Sequence, residues 1–216
     1  MKERPILFSA AMVRAILAGT KTQTRRVLRV QPPRWCTTFG WSALTPPGMV
    51  EGRGRYVDEQ GVDHGPASKF IPVPYAVGDR LWGKEAIRHI GDGRSEYIAD
   101  GSLTVADAWP WKNKALPGMY CPRGLSRIKG PVTAIRVQWL QDISAEDSLA
   151  EGVPRASVCG CEVCRRSVQM CPADASEQVM AYAALWDSIN RKRPGCSWDA
   201  NPCVVAVTFN PEAQTP

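Results

Sequence analysis

The stretch Ser9-Ala-Ala-Met-Val-Arg-Ala-Ile-Leu-Ala-Gly19-Thr-Lys-Thr-Gln-Thr-Arg-Arg26-Val-Leu-Arg-Val30 decides how the chain is read. Ser9 is a good helix N-cap, and Val13, Ile16 and Leu17 recur at helical spacing on one face. Gly19 stands where a helix C-terminus favours positive φ. A polar run, Thr20 to Arg26, follows, and then the apolar Val27 to Val30. The pattern predicts helix, tight basic turn, strand.

Charge concentrates in this region. The 216 residues carry a net charge of +6. Residues 1–34 hold eight basic side chains (Lys2, Arg4, Arg14, Lys21, Arg25, Arg26, Arg29, Arg34) against Glu3, a local +7, and the other 182 residues carry 19 basic and 20 acidic groups. A local excess of this kind points to an anionic partner such as nucleic acid, or else to a solvated basic face. Apolar residues are 44% and charged residues 22%, ordinary for a globular chain of one domain's length. No apolar run approaches the roughly 20 residues of a membrane span, and the N-terminus lacks a secretory leader, so no membrane partner and a cytoplasmic location are expected.

Further along, residues 31–75 read as an insertion of loops and short strands, because Pro32, Pro33, Pro46, Pro47, Pro66, Pro72 and Pro74 alternate with six glycines. Strands are expected at Arg80 to Arg88, Glu96 to Ala99, Thr133 to Leu140 and Cys203 to Phe209. Ser144 caps a short helix that ends at Gly152, with Asp147 in a capping-box position. A longer helix runs from Ser176 to about Asn190, burying Val179, Tyr182, Ala183, Trp186 and Ile189. Short strands with helices at their ends predict an α+β domain built on a small β-barrel with flanking helices and loop insertions, at 31–75 and 153–175.

The segment Ile16 to Arg26, with Gly19, Lys21 and Arg26 in a Gly-x-Lys…Arg pattern, resembles the signature of ASCH domains. So do Gly78-Asp79-Arg80-Leu81-Trp82, the Asp142 to Gly152 helix, Leu185-Trp186-Asp187 and the closing strand, in kind and order. The resemblance covers most of the chain outside the insertions and is nearest to the longer ASCH proteins of phages and prophages. It implies a single PUA-like (ASCH) barrel over 1–216 that recognises RNA or a modified nucleoside, in a bacterial host cell if phage-encoded. Small bacterial ASCH proteins include amidohydrolases that remove the acetyl group of N4-acetylcytidine. The resemblance therefore implies Lys21 as base, Thr24 as nucleophile and Glu151 as acid or orienter, with Glu146 and Glu85 as rivals for the third role.

The residue types suit that chemistry. A Thr hydroxyl needs a base within about 3 Å, and a Lys serves only if its pKa of about 10.4 is lowered. Arg25 and Arg26 would help lower it. An oxyanion hole is expected from backbone N–H groups of the Gly19–Thr22 turn. Equally, Gly19, Lys21, Arg25 and Arg26 could clamp phosphate without catalysis, as a non-catalytic RNA-binding module or phage accessory factor would. Lys84, Glu85, Arg123 and Arg127 would extend a substrate or nucleic-acid groove, and Trp82 either stacks on a base or lies in the core. Two histidines and no Gly-rich phosphate loop leave no organic cofactor expected. Cys159, Cys161, Cys164 and Cys171 have the spacing of a closed structural Zn²⁺ site, with free thiols, disulfides or an iron–sulfur cluster as alternatives.

Overall fold

A computed structural model describes residues 1–91, 93–104, 109–155 and 172–213. The four cysteines of the expected zinc loop lie outside the described residues. The fold is α+β, mostly sheet. Its strands are β1 (Glu3–Leu7), β2 (Gln23–Val27), β3 (Cys36–Gly40), β4 (Met49–Val57), β5 (Asp63–Pro72), β6 (Arg80–Lys84), β7 (Ile87–Gly91), β8 (Arg94–Tyr97), β9 (Ala115–Leu116), β10 (Ile128–Trp139), β11 (Cys203–Phe209) and β12 (Glu212–Ala213). Its helices are α1 (Ala10–Leu17), α2 (Ala145–Ala150) and α3 (Pro172–Asn190).

The main sheet runs β1-β6-β10-β11-β2, with β12 against β10. β1 and β6 are parallel, and the pairs after them antiparallel. Among the described residues this sheet does not close on itself. Its two end strands, β1 and β2, are joined through α1, and the Arg26 guanidinium reaches across to the Leu7 carbonyl at 2.6 Å. A side chain thus bridges the opening where a barrel would carry a backbone ladder. α1 forms as expected: Ser9 Oγ accepts from Met12 N, and Gly19 takes φ +73°. Val13 and Ile16 go into the core, each worth roughly 1.5–3 kcal/mol of apolar burial.

The basic turn is largely strand. β2 begins at Gln23 rather than after Arg26. The residues read as turn because they are polar, but Asp147 and Glu151 take up Lys21, Gln23 and Arg25, and the ladder with β11 forms regardless. Residues 31–75 also depart from expectation. They form an antiparallel sheet, β3-β4-β5, with strands of up to ten residues. Two of the glycines serve close packing within β4: a Cβ on Gly54 would overlap the Trp35 carbonyl oxygen, and one on Gly52 would crowd Cys36 and Ile71. The prolines sit where a ladder tolerates them, because Pro66 and Pro72 lie on β5, an edge strand. Val50, Ile71 and Val73 from this segment pack into the same core as Ile6, Leu81, Val132, Val205 and Val207. The strand predicted over Arg80 to Arg88 is two, β6 and β7, broken at Glu85 and Ala86.

Candidate functional site

β2 is an end strand, and α2 and α3 pack along it. Its register against β11 pairs Thr24 with Val207, Arg25 with Ala206 and Arg26 with Val205. Alternation turns Gln23 and Arg25 toward α2 and α3, and Thr24 toward the opposite face. Lys21 lies just before the strand and forms an isolated antiparallel bridge with Glu151. Glu151 caps α2, and the following Gly152 has φ +83°. A Cβ on Gly152 would come within 2.9 Å of the Lys21 Cβ, so the close approach of the two segments requires glycine here.

Lys21 is fully buried. Its Nζ donates to Glu151 Oε2, the Glu151 carbonyl and the Gln23 carbonyl, each at 2.8 Å. Arg25, also buried, donates to Gln23 Oε1 at 2.6 Å, Glu151 Oε1 at 3.1 Å and Asp147 Oδ2 at 2.6 Å. Asp147 further pairs with Arg136. Burial lowers the Lys21 pKa from its ordinary value, against the raising effect of Glu151, and Arg26 and Arg25 add to the lowering. Burial also raises the Tyr182 hydroxyl well above its usual range, so it stays protonated.

Two buried polar atoms here have no hydrogen-bond partner among the described residues: Thr24 Oγ1 and Arg25 Nε. Although their side chains leave opposite faces of β2, both residues line one cavity at this end strand, with Glu151, Met12 from α1 and Tyr182 and Trp186 from α3. Its volume is about 20 Å³, which admits a water-sized or methyl-sized group and no ring. A larger cleft of about 370 Å³ lies alongside and shares Met12, Arg26, Ile189 and Asn190 as walls. Phe8, Ser9, Glu85 and Arg193 are among its other walls. That volume falls in the range of small-molecule sites.

The structure brings Lys21, Arg25 and Glu151 together and sets Thr24 on the same cavity as Glu151 and Arg25. It selects Glu151 over its rivals, since Glu146 is exposed and Glu85 is bonded to Arg127. It corrects several expectations. Lys21 does not hydrogen-bond Thr24, because all three ammonium hydrogens already have acceptors. The Gly19–Thr22 turn offers no oxyanion hole: its four N–H groups donate to the carbonyls of Ile16, Ala15 (twice) and Ala150. Gly19 itself is exposed at the helix end. Arg25 is no surface phosphate clamp, being enclosed by carboxylates.

The extended groove is also not formed. Arg127 is buried, bound by both oxygens of Glu85 at 2.9 Å and by Asp100, with its guanidinium 4.0 Å from the Tyr97 ring centroid. Arg123 pairs with Glu3. Trp82 is half-buried and carries the Lys84 ammonium 5.5 Å from its ring centroid, on the strand face opposite Glu85.

Asp147, Gln23, Tyr182 and Asn190 escaped the sequence reading. Asp147 was legible only as a cap residue, and Tyr182 only as core. Compared with known proteins, the chain matches no family model, no curated protein and no solved structure.

Proposed function

We propose that the protein is an ASCH-type, PUA-like domain that recognises a modified pyrimidine nucleoside and hydrolyses the N4-acetyl amide of N4-acetylcytidine. One observation carries the reading: Thr24, whose buried hydroxyl has no partner, is among the residues lining the same small cavity as Glu151, whose carboxylate holds a buried lysine of lowered pKa. The cavity's size suits the methyl end of an acetyl group, and the adjoining cleft of about 370 Å³ suits the cytidine.

The chemistry follows from donor counting. A neutral Lys21 satisfies two of its three acceptors by donation and turns its lone pair to the Thr24 hydroxyl. Thr24 Oγ bonds to the acetyl carbon as its proton passes to Lys21. The carbon–N4 bond then breaks, N4 takes that proton, and cytidine leaves. Water cleaves the threonyl ester with Lys21 again as base, releasing acetate and restoring Thr24. Glu151 holds Lys21 in place and stabilises its protonated form.

The rival reading, a non-catalytic RNA-binding module, rests on the basic N-terminal segment. Ion pairing of Lys21 and Arg25 with Glu151 and Asp147 takes two of those charges out of a phosphate's reach. Incubating the purified protein with N4-acetylcytidine, followed by chromatography, separates the two. Cytidine and acetate are the expected products. Intact substrate together with salt-sensitive RNA binding would favour the module.

A further inference from the structure

The acyl-transfer reading needs a donor for the oxygen that gains negative charge, and the turn expected to supply it has no free N–H. The same cavity holds another. Arg25 Nε is buried without a partner, although the Nη atoms of the same guanidinium bind Gln23, Glu151 and Asp147. Those three bonds fix the plane of the group, and the Tyr182 ring lies 5.8 Å from its Cζ. A guanidinium locked at one end with an unengaged N–H at the other is a preorganised donor, because no reorientation is needed when charge develops. Leaving such a group unsatisfied in a protein interior is costly, so the site is suited to an acceptor that a ligand brings.

We propose that Arg25 Nε–H donates to the carbonyl oxygen of the bound acyl group and to the oxyanion formed when Thr24 attacks. This rests on the hydrolase reading above and adds a catalytic group to it. The nucleophilic oxygen then comes from Thr24 and the donor from Arg25, two residues that line one cavity. Its ligand is a small acyl amide offering one hydrogen-bond acceptor. Arg25→Lys keeps the positive charge beside Asp147 and Glu151 and removes the Nε–H.

The test compares N4-acetylcytidine with its thioacetyl counterpart, since sulfur is a poor acceptor and exposes a donor to the reacting atom. Wild type should favour the oxygen substrate strongly. R25K should lose about 10²–10³-fold in kcat on the oxygen substrate with KM nearly unchanged, and its preference for oxygen over sulfur should collapse. R25K acting at near wild-type rate, or slowing both substrates equally, would overturn the proposal while leaving the hydrolase reading intact. A wild-type protein inert toward N4-acetylcytidine would remove the hydrolase reading and this inference with it. Should R25K not fold, NMR of Thr24→Ala decides: the Arg25 Nε–H signal should move downfield on saturation with N4-acetylcytidine and not with cytidine. An equal response to both would overturn the assignment.

Discussion

Lys21 is a cation that the fold has removed from water and surrounded with three acceptors. Burial favours its neutral form, and Glu151 opposes this. Because the folded-state value lies below 10.5, the protein should lose this proton at lower pH than a free lysine. A base must be unprotonated, so kcat should rise with pH to a plateau, with its midpoint below 10.5. A midpoint at or above that value would count against Lys21 as base. The linked stability term has the same sign: it is present above 10.5 and is lost as pH falls through the lowered value. Glu151 is the other half of the balance. Glu151→Gln leaves Lys21 and Arg25 buried with one carboxylate fewer, and urea unfolding should show a loss of about 3–5 kcal/mol. A loss under about 1 kcal/mol would mean that the pair is not the buried one described.

At the scale of elements, the site depends on α2 ending beside the start of β2. Gly152 makes that contact possible, with positive φ and with Ala15 and Lys21 where a side chain would stand. Gly152→Ala should cost about 1–3 kcal/mol from backbone strain alone and slow the proposed hydrolysis, read by thermal unfolding and by rate. Both effects absent would show that the segments do not meet as described. α1, α2, the end of α3 and β11 were legible in the sequence because capping residues and apolar spacing agreed there. β2 was not, because its burial depends on charges from a segment about 120 residues away. Nor was the β3-β4-β5 sheet, where Gly61 marks the turn between β4 and β5 while Gly52 and Gly54, alike in sequence, mark close approach within a strand. The thiols of Cys159, Cys161, Cys164 and Cys171 carry a separate proposal from their spacing: one structural zinc per chain, removed by chelation. Substoichiometric metal in a folded sample would contradict it.

At the scale of the molecule, the positive charge of the basic N-terminal segment is partly answered by carboxylates from elsewhere in the chain. Arg4, Lys21 and Arg25 meet Asp79, Glu151 and Asp147, while Arg14, Arg26 and Arg34 are tethered to carbonyl oxygens from distant parts of the chain. A second buried network, Arg127 with Glu85 and Asp100, braces the far side of the cleft. The bond from Arg127 holds Asp100 at about 2, below its usual 3.8. Its contribution is present above that ordinary value and fades as pH falls toward 2. The stability gap between wild type and Asp100→Asn should therefore narrow across that window in acid titrations of unfolding, and a constant gap would exclude the pairing. No helix among the described residues is long and apolar enough to cross a membrane.

The proposed hydrolysis requires that the Thr24 hydroxyl, which has no partner, act as a nucleophile. Single-turnover mixing of excess protein with N4-acetylcytidine, quenched and read by mass spectrometry, tests this directly. Wild type should release cytidine and pass through an acetyl ester on Thr24, and Thr24→Ala and Lys21→Ala should each fall by about 10³-fold or more. Substrate left intact by wild type, or cytidine released by Thr24→Ala at the wild-type rate, would contradict it.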